Sequence, residues 1–160
     1  MKVPNKERIK CIFYDFDGVM TDNTVWVQED GKETVRCNRS DGLAVGLIRN
    51  LGINQVIVST EKKPIVVKRA DKLGLEVFNS VNDKAEAIKE YCDYHHFDLE
   101  STMFIGNDIN DLTAMQIVGV KGCPADAEIE IKELADWISN KNGGYGVIRD
   151  LYRCLINDED

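Results

Sequence analysis

Phe13-Tyr14-Asp15-Phe16-Asp17-Gly18-Val19-Met20-Thr21-Asp22 decides how the rest of the chain is read. The apolar run over residues 9–14 has the length and β-branched and aromatic content of a buried strand. It stops at two aspartates one residue apart, followed by a glycine. The same grammar repeats along the chain: short apolar runs at residues 55–58, Glu76–Phe78, 103–105, 118–121 and Trp137–Ile138. Helical patterns over residues 42–50, 64–73, 84–94, 110–117, 128–134 and 146–155 separate them. Ser40-Asp41 reads as the cap of the first helix and Asn82-Asp83 as the cap of the third, while Gly52 and Gly74 are stops. Strands alternating with helices imply an α/β fold, a doubly wound and mainly parallel sheet with right-handed crossovers. One segment breaks the alternation. Residues 25–27 and 34–37 flank Asp30-Gly31, which reads as a β-hairpin inserted at about residues 25–37.

The 160 residues make one domain, residues 1–160, with the acidic tail at residues 157–160 expected to fray. Twenty basic against 28 acidic side chains give a net charge of −8, which argues against phosphate-neutralising nucleic-acid binding and against an anionic membrane. No apolar run is long enough for a membrane span, and the polar start, residues 1–10, is not a secretory leader. The five cysteines, Cys11, Cys37, Cys92, Cys123 and Cys154, are widely spaced without a Cys-x-x-Cys pair. That pattern predicts free thiols and a cytoplasmic protein rather than a disulfide framework or a zinc site. His95 and His96 are adjacent, so they cannot form a local metal pair; they read as a helix end, and Trp26 and Trp137 as packing residues.

Ligands of open parallel sheets bind beyond the carboxyl ends of the strands. There the chain delivers Asp15, Asp17, Gly18, Thr21 and Asp22, then Ser59, Thr60 and Glu61, then Lys84, then Asn107, Asp108, Asn110 and Asp111. Carboxylates gathered at one edge repel unless a cation sits among them, and an oxygen-rich set of this kind suits Mg²⁺ with a substrate phosphate. A carboxylate in that position can attack phosphorus, while a hydroxyl and a lysine hold the equatorial oxygens.

These stretches resemble the haloacid dehalogenase superfamily: residues 13–22 its first motif, Val56-Ile57-Val58-Ser59 its second, Lys84 its third and Ile105-Gly106-Asn107-Asp108-Ile109-Asn110-Asp111 its fourth. The hairpin in place of a large cap, and Gly143-Gly144-Tyr145-Gly146-Val147-Ile148-Arg149, resemble its capless branch of octulosonate 8-phosphate and nonulosonate 9-phosphate phosphatases and the phosphatase-like domain of some sialate cytidylyltransferases. The resemblance implies a Rossmann-like fold and a Mg²⁺-dependent phosphatase. It makes Asp15 the nucleophile, Asp17 the general acid and base, and Ser59 and Lys84 the phosphoryl-binding pair. It gives Mg²⁺ to Asp15, the Asp17 carbonyl and Asn107. The superfamily most often has Asp where this chain has Asn107, so Asp108 and Asp111 are further candidate ligands.

Glu61, where octulosonate-type members commonly have Arg, leans the resemblance toward a nine-carbon α-keto-3-deoxy sugar acid phosphate. Gly18, Thr60, Glu61, Arg69 and Lys72 are the candidate substrate contacts, with Arg69 and Lys72 on one helix face and Arg149 of similar standing. A homotetramer with the hairpins at its centre is the implied assembly. Two rivals stand beside this reading. A signalling receiver domain also carries an acidic cluster, a Ser/Thr and a Lys, but its phospho-accepting Asp stands on a later strand. A weakly active phosphatase-like module partnering a sugar nucleotidyltransferase is kept open by Asn107.

Overall fold

The computed structural model describes residues 4–157, so the fraying expected at residues 158–160 lies outside the described residues. Its strands are β1 (Cys11–Tyr14), β2 (Trp26–Val27), β3 (Glu33–Thr34), β4 (Asn54–Val58), β5 (Glu76–Phe78), β6 (Thr102–Ile105), β7 (Val120–Cys123) and β8 (Trp137–Ile138). Its α-helices are α1 (Arg39–Asn50), α2 (Ile65–Leu73), α3 (Lys84–His95), α4 (Leu112–Ile117), α5 (Ile129–Leu134) and α6 (Val147–Ile156). Six strands form one sheet in the order β5-β4-β1-β6-β7-β8, and every neighbouring pair in it is parallel.

β1 is central and entirely buried, which is why its sequence is continuously apolar rather than alternating. Ile12 and Tyr14 pack into a core shared with α1, α2 and α6; Cys11 and Phe13 face the opposite core, shared with α3, α4 and α5. The one polar group of β1's side chains is satisfied: Tyr14 Oη donates to Gln55 Oε1 at 2.9 Å, and Gln55 Nε2 donates to the Val45 carbonyl at 2.9 Å. Tyr14 lies level with Ile57 of β4 and Ile105 of β6. The residues that follow these three strands therefore leave the sheet side by side. The chain also reverses direction across the sheet at β1, and such switch points open a crevice.

The helix starts refine the sequence reading. α1 begins at Arg39, and its cap is Asn38, whose side chain accepts from Ser40 N at 2.8 Å. Ser40-Asp41 is thus inside the helix, and Asp41 turns inward to accept Arg149 N at 2.9 Å. Asp83 caps α3 as expected, accepting from Glu86 N at 3.1 Å. The helix expected from residue 110 opens as a 3₁₀ turn, Ile109–Asp111, before α4. The fifth expected strand is β7, two residues further on than residues 118–121. Gly119 backs directly onto the Glu100 carbonyl, where a Cβ would lie 2.0 Å away, and this packed corner precedes the strand.

The hairpin is present but short: β2 and β3 pair over two residues each, Gly31 takes φ +80° at its turn, and Thr21 bridges Cys37 at its base. Its outer side chains Val25, Trp26 and Val27 are 50%, 72% and 67% exposed, whereas Trp137 is buried in the main core. All five cysteines are free. His95 closes α3 and packs at a tilt against Tyr91 with ring centroids 4.1 Å apart, and His96 is the left-handed residue that ends it. Among the described residues no helix is long and apolar enough to cross a membrane.

Candidate active site

Asp15 leaves β1 with its backbone N–H still in the ladder, donating to Ile105 O at 2.9 Å. Its backbone is therefore anchored to the sheet. The chain then turns tightly: the Phe16 carbonyl accepts Val19, Met20 and Thr21 N–H groups, and Gly18 takes φ +83°. A side chain at position 18 is excluded twice over, by that φ and because its Cβ would fall 2.0 Å from Asn107 Nδ2. Gly18 is thus a close-packing position of the turn rather than a group reaching for substrate.

Lys84, the first residue of α3, is buried with its ammonium between two carboxylates, 2.8 Å from Asp15 Oδ1 and 2.6 Å from Asp111 Oδ1. Burial alone depresses an ammonium, but attraction to Asp15 and Asp111 outweighs it and raises the Lys84 pKa. Asp111 is wholly buried and both its oxygens are committed, Oδ1 to Lys84 and Oδ2 to the backbone N–H groups of Asn107 (2.9 Å) and Asp108 (3.3 Å). It anchors the lysine and the fourth-motif loop. This gives Asp111 a different task from the metal ligation considered for it. Burial, with repulsion from Asp111 against the pull of Lys84, raises Asp15 to about 7. Asp17 is also raised, first by burial and then by Glu61.

The Asn107 amide oxygen points at Asp15 Oδ2 (3.2 Å) and the Asp17 carbonyl (2.9 Å); the rotated amide would donate to both. In the first orientation three oxygens converge, an arrangement that a cation among them stabilises; in the second, two hydrogen bonds do. The spacing of the three oxygens matches octahedral Mg²⁺, whose ligands at 2.0–2.1 Å put adjacent oxygens about 2.9 Å apart. The residues present thus fit a hard divalent cation held by Asp15 Oδ2, Asp17 O and Asn107 Oδ1. Among the described residues no group of three His, Cys, Asp or Glu side chains forms a metal cluster. Here one donor is an amide and another is backbone.

A cleft of about 100 Å³ opens on this edge, lined by Asp15, Asp17, Ser59, Thr60, Asn107 and Asp108. Asn23 and Asn110 complete it. Asn23 has φ 63°, and its signal was an Asn directly after the first motif, a residue type that tolerates the left-handed region. Ser59 is buried and accepts Glu61 N at 3.1 Å, which leaves its own proton free to donate. Glu61 accepts the Lys62 and Lys63 N–H groups and lines an adjoining cavity of about 230 Å³ with Asp17, Glu33, Val25 and Val35. Arg69, Lys72 and Arg149 line neither. Arg69 donates to the Asn38 carbonyl at 3.1 Å, Lys72 is exposed near the end of α2, and the Arg149 guanidinium lies 5.7 Å from the centre of the Tyr152 ring. Two larger clefts, about 360 and 380 Å³, lie away from these carboxylates, so chemistry rather than volume selects the site.

A family model described as haloacid dehalogenase-like hydrolase matches residues 51–151. The chain belongs to that family. It is similar to a solved structure from Streptomyces avermitilis described as a HAD family hydrolase, with TM-score 0.95 and 33% identity over 98% of this chain and 90% of that one. The 3-deoxy-D-manno-octulosonate 8-phosphate phosphatase of Haemophilus influenzae is 29% identical over 94% of this chain and 84% of its own length. The corresponding phosphatase of Moraxella catarrhalis, solved with magnesium, phosphate and a KDO molecule, superimposes with TM-score 0.88 at 25% identity over 95% and 90% of the two chains. This kinship makes the chain a metal-dependent phosphoric monoester hydrolase, and the described residues include no large cap.

Proposed function

We propose that the chain hydrolyses the phosphate monoester of an α-keto-3-deoxy sugar acid, a nonulosonate 9-phosphate ahead of an octulosonate 8-phosphate, with Mg²⁺ and through an aspartyl-phosphate on Asp15. The observation that carries the chemistry is the division of Asp15: Oδ1 is held by Lys84 at 2.8 Å while Oδ2 faces Asn107 and Asp17 oxygens. Mg²⁺, when bound there, neutralises the carboxylate so that an anionic phosphate can approach.

The residues then divide the work. An Asp15 oxygen forms a bond to phosphorus as the bond to the sugar oxygen breaks. Asp17, whose pKa is raised by burial and by Glu61, is the group placed to give a proton to the departing alkoxide. Ser59 and Lys84 donate to the phosphoryl oxygens as charge moves onto them. Asp17, now ionised, takes a proton from water, and the hydroxide attacks phosphorus, releasing phosphate and freeing Asp15. Asp15, Asp17 and Lys84 standing together favour turnover over the reading as an inactive accessory module.

Glu61 beside Asp17 supports the longer sugar acid, because an acceptor there suits polyol hydroxyls next to the leaving oxygen. The described lining of that cavity is acidic and the nearby Lys63 is paired with Glu33, so a substrate carboxylate needs further partners, and Arg69 and Lys72 of a neighbouring copy fit that need. The exposed Val25, Trp26 and Val27 support a homotetramer that covers them. A panel of phosphorylated nonulosonates and octulosonates tests the substrate, with kcat/KM expected highest for a nonulosonate 9-phosphate. Equal or better turnover of the octulosonate ester overturns the preference, and no turnover of any ester, p-nitrophenyl phosphate included, restores the accessory-module reading. Sedimentation as a fully active 18.1 kDa monomer rules out the assembly.

A further inference from the structure

The Gly-rich segment before α6 lies far along the chain from the first motif, yet it is packed against it more tightly than any side chain allows. A Cβ at Gly143 would lie 2.0 Å from the Gly18 carbonyl oxygen and 2.9 Å from that of Thr21. A Cβ at Gly144, itself at φ +71°, would lie 2.5 Å from Asp22 N. Gly144 N donates to the Val19 carbonyl at 3.0 Å, so backbone is bonded directly to backbone across the turn. On its other side Gly18 meets the Asn107 side chain with no room for a Cβ. Gly18 is therefore a single-residue wedge between the Gly143-Gly144 strap and the Asn107 amide.

The strap is itself pinned from three directions. Gly143 N donates to Asp126 Oδ1 at 2.8 Å, and Asn38 Nδ2 donates to Gly144 O at 3.4 Å. The Tyr145 ring carries the Arg36 guanidinium 4.2 Å from its centre, and Arg36 Nε holds Asp22 Oδ2 at 3.0 Å.

We propose that Gly143 and Gly144 are positioning residues for the metal site, a backbone strap that presses the turn over residues 17–22 against Asn107 and so fixes the spacing of the Asp17 carbonyl and the Asn107 oxygen. The inference rests on the reading of those oxygens as a divalent-cation site. Interiors are close-packed and resist small displacements, so a methyl group on one side of the wedge must move the ligands on the other. Octahedral Mg²⁺ tolerates little change in ligand spacing, so its affinity reads the displacement directly.

The test is Mg²⁺ affinity by calorimetry on the purified chain, with secondary structure followed by circular dichroism. Gly143→Ala is expected to weaken Mg²⁺ at least tenfold with its helix and strand content unchanged, and to lose kcat at subsaturating metal more than at saturating metal. Gly46→Ala is the control, since a Cβ there meets nothing within 4 Å. Should Gly143→Ala not fold, Asp126→Ala decides: Asp126 is exposed, and its loss frees the strap from one side, for an expected weakening of about threefold. Wild-type affinity in a folded Gly143→Ala, or in Asp126→Ala where the first does not fold, overturns the strap. A wild-type chain that binds no Mg²⁺ overturns the cation site itself, which is a separate failure.

Discussion

Asp15 and Asp41 are both buried carboxylates near a cation, and both are pushed up by burial, Asp15 to about 7 and Asp41 to about 6. By those criteria they are alike, yet their surroundings differ. Asp15 stands at a strand end beside a cleft, with Lys84 on one oxygen and the Asn107 and Asp17 oxygens converging on the other. Asp41 stands inside α1 and takes the Arg149 N–H at the start of α6 through Oδ1, while Oδ2 has no hydrogen-bond partner. Asp41 joins two helices; Asp15 faces a space. Burial and a raised pKa mark a charge that the fold tolerates. What marks a reactive one is a set of groups whose unused valences meet at a point outside the protein.

The largest effect that separates the two is on turnover. Asp15→Asn removes the proposed nucleophile and is expected to cut kcat by at least about a thousandfold, as loss of a covalent nucleophile does. Asp41→Asn retains an oxygen for Arg149 N–H and is expected to leave kcat within about twofold. Comparable losses in both variants, measured on p-nitrophenyl phosphate, would erase the distinction.

Next comes the cation between Asp15 and Asp111. Lys84→Met leaves two buried carboxylates facing each other, and breaking a buried pair of this kind costs about 3–5 kcal/mol. Denaturant unfolding without metal is expected to show that loss at pH 8. The deficit shrinks toward pH 5, where the freed carboxyls protonate. A pH-independent loss would mean that packing of the lysine stem, not its charge, is what the fold requires.

The sequence made one of these neighbourhoods legible and not the other. Asp15, Ser59 and Asn107 could be placed together because each follows a short apolar run, and parallel strands bring such ends to one edge. Lys84 could be added through its place at the head of a helix after the third run. Asp41 reads as part of a helix cap because Ser-Asp before an apolar stripe has that pattern locally. Its actual partner is 108 residues away, and no local pattern carries that information. The sequence marks Asp111 as acidic and close to the candidate metal ligands, but that both its oxygens are taken is a fact of packing. The strap is of the same kind: Gly143 and Gly144 were noticed as glycines, while the reason for them lies in the backbone of residues 18–22.

Asp41 itself gives a stability signature of opposite sign to a carboxylate whose pKa the fold lowers. Its folded pKa, about 6, stands above the unfolded value of about 3.9. Its contribution is fully present below about pH 4 and is lost as pH rises to about 6. Two units correspond to roughly 2–3 kcal/mol at about 1.4 kcal/mol each. The stability of Asp41→Asn relative to wild type is therefore expected to improve by about that amount between pH 4 and pH 7, then stay level. A flat difference across that range would place the titration of Asp41 elsewhere.

The smallest effect concerns the neutral oxygen that faces Asp15 from Asn107. Asn107 offers the cation an oxygen without charge. Asn107→Asp adds a carboxylate 3.2 Å from Asp15 Oδ2 and 2.9 Å from the Asp17 carbonyl, if it keeps the amide's place. Without metal, that added repulsion destabilises the fold and raises the Asp15 pKa further. With Mg²⁺ the same charge becomes a ligand, and a hard cation favours it. The two effects share one cycle, so the variant is expected to bind Mg²⁺ several-fold more tightly and to unfold more readily in chelator. Thermal unfolding with and without Mg²⁺ reads both arms: the metal-induced shift in Tm grows while the chelated Tm falls. A chelated Tm that falls with no gain in the metal-induced shift would put Asn107 beside the cation rather than on it. The spacing of the three oxygens would then have to be explained by the rotated amide and its two hydrogen bonds.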